Sequence, residues 1–255
     1  MKHPVIIIQA RLSSTRLAGK VLREAGGRPM IAWLLERLSF AKCPVVLAVP
    51  REDAPRFEPL TREFPVQLFP GSEQDVLDRY AEAARANGAD PIIRVTGDNP
   101  LTSVECLALC LEKHAAMAAD LTHPVGLPYG AGVEVISRQA LEAAWTGGRE
   151  SDDREHVTRY IYKNPGRFEI VPMPVPEAYQ GSDLRVTIDT EEDFRRFESI
   201  VGHVKPRRYL RLLDAMKFLR QGAAEAPPAV AAGAKKAPKA SPTKKTAPPR
   251  PKKSK

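Results

Sequence analysis

The chain has 255 residues, 43% of them apolar, enough for one α/β domain with a sizeable core. Its formal net charge of +8 suggests a nucleic-acid partner, but 222–255 alone carries nine Lys or Arg and one acid, leaving 30 basic and 30 acidic residues elsewhere. Three cysteines argue against a disulfide framework, and the lack of a long apolar run or of a signal peptide before the strand-like Val5–Ile8 predicts a soluble, cytoplasmic protein.

Val5 to Ala10 reads as a first strand, and a polar loop follows from Arg11 to Lys20. A helix is expected from near Pro29, a favourable first-turn residue, to about Ser39. Val45 to Val49 and Val66 to Phe69 read as the second and third strands. Ser72 stands where a helix N-cap would, with Asp75 as an approximate capping-box partner. Val76, Leu77, Tyr80 and Ala84 then share one helix face, and Gly88 stops the helix. Ile92 to Val95 is expected as an apolar fourth strand at the centre of a parallel sheet, running into Thr96-Gly97-Asp98-Asn99-Pro100. Cys106 and Cys110 could share a helix face; with no partner ligands at zinc spacing they read, like Cys43, as core residues. A strand at Val133 to Ile136, a helix from about Asp153 to Lys163 and a strand at Val186 to Ile188 follow. Asp189-Thr190 is expected to cap a helix that starts at Glu191.

This alternation predicts an α/β fold with a mostly parallel central sheet and helices on both faces, occupying residues 1–221. Residues 222–255 are mostly Ala, Pro and Lys, with a single Val and no aromatic, a composition expected to be disordered. The tail could be a weak tether to anionic surfaces, but no aromatic is present for base stacking. It reads better as a solubilising extension without a specific nucleic-acid partner, so catalysis is expected to survive its removal.

Open α/β sheets bind ligands beyond the carboxyl ends of their strands. Three polar clusters lie there: Arg11 to Lys20, Thr96 to Pro100, and Asp189 with Thr190. The first offers three cations, three hydroxyls and a glycine, which suits a polyphosphate, although it is not a Walker loop and could also be a solvated basic loop. Gly97 would let a ligand approach the backbone beside Asp98. Asp98 and Asp189 could supply the one or two carboxylates that magnesium takes alongside phosphate and water, or be a turn and a cap residue. Glu155 and His156 could form a substrate-side or acid/base cluster.

Five stretches, in this order, resemble the cytidylyltransferase family: Ile7 to Leu22, Gly71 to Tyr80, Arg94 to Leu101, Glu155 to Thr158 followed by Tyr160, and Leu184 to Phe194. The family includes the enzymes that activate 3-deoxy-manno-octulosonate and sialic-acid-like sugars, and its spore-coat polysaccharide synthesis F branch is the nearest in pattern. The resemblance implies a Rossmann-like nucleotidyltransferase fold, often dimeric. It implies transfer of CMP from CTP to a small anionic sugar-like acceptor, with release of pyrophosphate. Ala10, Arg11, Ser13, Arg16 and Lys20 would surround the nucleotide, with Arg11 and Lys20 acting with Asp98 in catalysis. Asp98 and Asp189 would hold Mg2+, and Asp75 and Arg79 would lie near the nucleotide. Glu134, Glu155 and His156 would serve the acceptor. Ala18 stands where the family usually has Pro, and Asn99 where the branch often has Cys, neither an expected ligand. Two other readings stay open: a nucleotidyltransferase for a different nucleoside triphosphate, and a non-catalytic nucleotide-binding homologue tethered by its basic tail.

Overall fold

A computed structural model describes residues 3–14, 16–205 and 208–225, with backbone alone for 223–225. The elements in chain order are β1 (Val5–Gln9), the hairpin β2 (Glu24–Ala25) and β3 (Arg28–Pro29), α1 (Met30–Leu38), β4 (Val45–Pro50), α2 (Ala54–Glu63) and β5 (Val66–Gly71). Next come α3 (Val76–Ala86), β6 (Ile92–Thr96), α4 (Leu107–Ala116), β7 (Leu121–Val125), β8 (Glu134–Ile136) and α5 (Arg138–Gly147). The short helices α6 (Ser151–Glu155) and α7 (Arg159–Lys163) precede β9 (Ile170–Pro174), and α8 (Glu191–His203) and α9 (Leu212–Glu225) close the fold.

Seven strands form one sheet in the order β5-β4-β1-β6-β8-β7-β9. It is mostly parallel, with β8 antiparallel to both neighbours. The chain moves outward from β1 to β4 and β5, then returns to lay β6 on the other side of β1. Connections therefore leave in opposite directions at the carboxyl ends of β1 and β6, which opens a crevice there.

Apolar residues on alternate positions of each strand feed two cores. Ile6, Ile8, Ile93 and Val95 face one, with α1, α2, α4, α8 and α9 supplying residues such as Leu34, Phe57, Cys110, Phe194 and Met216. Val5, Ile7 and Ile92 face the other, with Leu77 and Tyr80 of α3, Leu141 of α5 and Ile161 of α7. Helices thus cover both faces, as the alternation predicts. Among the described residues no helix is long and apolar enough to cross a membrane.

Several local expectations change. The N-cap of α3 is Asp75, whose side chain accepts from Asp78 N at 2.8 Å, while the hydroxyl of Ser72 accepts from Asp75 N one turn earlier. The central strand β6 is not wholly apolar, because Arg94 is in it. The helix expected from Asp153 to Lys163 is broken at His156, whose φ of −108° and ψ of 86° leave helical space. Val186 to Ile188 is extended but unpaired as a strand, with only an isolated bridge from Arg185 to Tyr129. The capping box before α8 belongs to Thr190 and Asp193, which frees Asp189 from the cap role. α9 runs to Glu225, so the first residues assigned to the tail are helical; 226–255 lie outside the described residues.

Tyr80 ties α3 to the sheet beneath the crevice. Its phenol lies 2.9 Å from both Ile7 O of β1 and Val95 O of β6, sharing its proton between them. Full burial pushes the phenol pKa up to about 12, so it stays a donor. Tyr80→Phe should lower the free energy of urea unfolding by about 1–2 kcal/mol, and an unchanged midpoint would show that the bond contributes nothing net.

Candidate functional site

The crevice opens into a cleft of about 760 Å3. Backbone contacts draw its walls together. Gly97 N donates to Gln9 O at 2.7 Å, so the chain leaving β6 lies against the chain leaving β1. A Cβ on Gly97 would stand 2.9 Å from Ala10 Cβ and 3.0 Å from Gln9 O. The glycine therefore serves this backbone contact, and it also lines the cleft. Ile188 N donates to Asp98 O at 3.0 Å, and Val186 N to Tyr129 O at 2.8 Å. Gly130, at a φ of 94°, sits so close to this segment that a Cβ would fall 2.4 Å from Thr187 N. These contacts bring Asp189 beside Asp98, although the two are far apart in sequence.

Lys20 joins them. Gly19, at a φ of 64°, turns the loop back so that its own N–H meets Leu12 O at 3.0 Å, and Lys20 then points inward. The Lys20 side chain is only 10% exposed. Its ammonium donates to Asp98 Oδ2 at 2.9 Å, to Asp189 Oδ1 at 3.1 Å and to Ile188 O at 2.6 Å. Asp189 also accepts from Arg16 at 3.2 Å and from Arg185 at 2.8 Å. Burial pushes the Asp189 carboxyl up, but the Lys20 hydrogen bond and the charges of Lys20 and Arg16 outweigh it and hold the group below its ordinary value. Asp98 has one partner, Lys20, so its Oδ1 has no hydrogen bond among the described residues.

Across the cleft Arg11 makes a forked pair with Glu155 of α6, at 2.7 and 3.4 Å. Both residues are about a third or more exposed, at 42% and 33%, so this latch is open to solvent. His156, exposed where α6 ends, has no side-chain hydrogen bond among the described residues. Arg79 is buried, and burial pushes its pKa down. Its guanidinium donates to Ser72 O, and its Nε has no partner.

Ala10, Arg11, Ser13, Arg16, Lys20, Arg79, Asp98, Glu155, His156 and Asp189 all line the cleft. Asp75 and Glu134 do not. Besides capping α3, Asp75 accepts from Arg154 Nε at 2.8 Å, which fastens α6 to α3. Glu134 accepts from Arg94, Thr158 and Tyr162. Two residues that sequence reasoning did not select join the site: Arg94, which lines it, and Arg185, which holds Asp189 and Asp193. Both stand inside stretches that carry the family resemblance, yet neither follows a strand as a polar cluster, which was the signal used.

Two carboxylate oxygens, from Asp98 and Asp189, thus converge on the Lys20 ammonium, with Asp98 Oδ1 left over beside them. That donor set suits magnesium, which takes one or two carboxylates with phosphate oxygens and water completing its shell. Among the described residues no group of three or more His, Cys, Asp or Glu forms a protein-only cage. The arrangement can gather a polyphosphate through Arg11, Arg16 and Lys20 at the point where two acids meet.

The sequence model of the cytidylyltransferase family matches residues 5–225. An uncharacterized protein of Methanocaldococcus jannaschii is 39% identical over 201 residues, 77% of this chain and 82% of its own. The spore coat polysaccharide biosynthesis protein SpsF of Bacillus subtilis is 32% identical over 208 residues, 78% of this chain and 87% of its own. The structure of a cytidylyltransferase from Leptospira borgpetersenii superposes with a TM-score of 0.81 at 27% identity, covering 88% of this chain and 96% of that one.

Lys20→Met would leave Asp98 and Asp189 facing one another without their shared cation. A carboxyl held below its ordinary pKa, 3.8 for Asp189, contributes stability above that value and loses it as pH falls through the lower folded value. The variant should unfold in urea about 2 kcal/mol more easily at pH 7. The gap to wild type should narrow below pH 3.8. An equal gap at neutral and acid pH would assign the loss to packing instead of charge.

Proposed function

This chain belongs to the cytidylyltransferase family, and from that premise we propose that it moves a cytidylyl group from CTP to a hydroxyl of a small anionic, sugar-acid-like acceptor, with magnesium, releasing pyrophosphate. The observation that carries this is the convergence of Lys20, Asp98 and Asp189 in a cleft at the strand-reversal point, with Arg11 and Arg16 on the loop beside them. The likeness to the spore coat polysaccharide protein of Bacillus subtilis supports a place in surface polysaccharide or glycoconjugate synthesis.

In this reading the acceptor oxygen attacks the α-phosphorus in line. A new O–P bond forms, the bond to the oxygen bridging to the β-phosphorus breaks, and pyrophosphate leaves with that electron pair. The hydroxyl proton passes to a base in the cleft, for which His156 is available. Arg11 and Arg16 release Glu155 and Asp189 and turn to the phosphates, where forked guanidinium bonds match the oxygens. Lys20 neutralises charge at the α-phosphate as a point charge. Magnesium held by Asp98, with Asp189 as second carboxylate, would polarise the α-phosphate and offset the charge of the leaving pyrophosphate.

Pyrophosphate release measured with CTP, UTP, GTP and ATP against a panel of 3-deoxy sugar acids and polyols tests this. Acceptor-dependent release should occur with CTP and require magnesium. Asp98→Asn should lower turnover by about 100-fold or more while the circular dichroism spectrum stays that of the folded chain. Near-wild-type turnover in that variant would refute the metal assignment, and release with another triphosphate alone would replace CTP as donor.

A further inference from the structure

We propose that Arg94 is the residue that binds the acceptor's carboxylate, and that Glu134, Thr158 and Tyr162 hold its guanidinium in place for it. The proposal rests on the transfer reading above and assigns the anionic part of the acceptor to a definite position.

Arg94 is the middle residue of β6, in register with Ile7 of β1 and Glu134 of β8. A charge in the central strand of a sheet covered on both faces is costly unless it is paired. Glu134 supplies the pairing, accepting from Arg94 Nη1 at 2.7 Å. Glu134 is fixed in turn from the α7 side, by Thr158 Oγ1 at 3.1 Å and Tyr162 OH at 2.9 Å. Burial first, and then the Glu134 charge, push the Tyr162 phenol far above its ordinary value, so it remains a donor to that carboxylate.

The pair is incomplete beside the forked pairs of this chain. Arg11, Arg23 and Arg28 each place two nitrogens on one carboxylate. Arg94 places one. Its Nη2 reaches only Gln9 Oε1, at a long 3.4 Å, and its Nε is buried without a partner. A guanidinium has five N–H donors in a rigid fork, so most of this one is uncommitted. Arg94 lines the cleft and Glu134 does not. Because Nε is buried, the part of the fork that can meet a ligand in the cleft is its Nη nitrogens, of which Nη2 has only the long Gln9 contact.

Such a fork matches a planar two-oxygen anion. Arg94 is not bonded to Asp98, Asp189 or Glu155, which hold Lys20, Arg16 and Arg11. It also sits two residues before the carboxyl end of β6, deeper along the strand than the loop that carries those cations. An anion at Arg94 is thus separate from the triphosphate cluster, as a second substrate's carboxylate has to be. Glu134, the acid that the family resemblance would give to the acceptor, positions Arg94 and does not itself reach the cleft.

The test uses the full chain labelled with 15N, with the Arg94 Nε–H resonance assigned by its loss in Arg94→Lys. It is titrated with 3-deoxy-D-manno-octulosonate, N-acetylneuraminate and gluconate, with the carboxamide of each, and with CTP. The resonance should shift and saturate with at least one acid, and not with its carboxamide. Arg94→Lys, which keeps a cation beside Glu134, should weaken that acid's calorimetric affinity by about 10- to 100-fold and leave CTP affinity within about twofold. No shift with any acid overturns the proposal. So does CTP reproducing the same shift and blocking the acid, or an equal loss of CTP affinity in the variant. An acid that shifts Arg94 but is never cytidylylated in the presence of CTP and magnesium counts against the transfer reading and leaves the Arg94 assignment standing.

Discussion

The ammonium of Lys20 is the contact on which the site's geometry depends. It reaches Asp98 at the end of β6 and both Ile188 O and Asp189 in the extended segment before α8, and it is itself delivered by the loop after β1. Three parts of the chain, far apart in sequence, are held by one charge. A nearly buried lysine with three short acceptors is a costly arrangement to desolvate unless every donor is used, and here every donor is used. The glycines around it fit the same requirement. Gly97 lets β6 close on Gln9, and Gly130 lets the 186–189 segment lie flat against the turn before β8.

Arg185 and Asp193 extend this holding network outward. Arg185 bonds both Asp189 and Asp193, and Asp193 also accepts the backbone N–H groups of Asp189 and Thr190. The first turn of α8 and the Asp189 carboxylate are therefore held together. Arg154 does similar work on the opposite wall, where it fastens α6, and with it Glu155, to the first turn of α3. The cleft is thus built on helices and strand ends that are cross-linked by buried or half-buried charge, with Arg11 and Arg16 left at its open side.

Much of the fold was legible because its signals are local. Apolar runs such as Val5 to Ile8 and Val45 to Val49 read as strands of a covered sheet, and Asp189-Thr190 before Glu191 marks the start of α8, although the cap itself is made by Thr190 with Asp193. Among the elements that escaped, α2 carries Pro55 and Pro59, β7 carries Pro124, and β9 carries Pro172 and Pro174, whereas α4, α5 and α9 escaped without any proline. The candidate site was legible where polar residues follow a strand, which is why Arg11, Lys20 and Asp98 could be singled out. It was illegible where a charge sits inside an element. Arg94 reads as an interruption of an apolar strand, and only the register with β8 reveals Glu134 opposite it. Asp75 stands in a family-like stretch that suggested the nucleotide, and both of its oxygens are taken by α3 and Arg154.

The Arg11–Glu155 and Arg16–Asp189 pairs have a consequence for how the cleft meets an anion. Cations on an open surface are ordinarily screened by a loose cloud of solution ions, and an arriving polyanion gains by dispersing that cloud. These two arginines carry their screening with them, as covalently tethered carboxylates. A triphosphate that takes them exchanges one bound acid for another and liberates few ions into the bulk. Recognition in this cleft then depends more on which oxygens fit the guanidinium forks than on long-range attraction. It favours a ligand of the right shape over one that is merely highly charged.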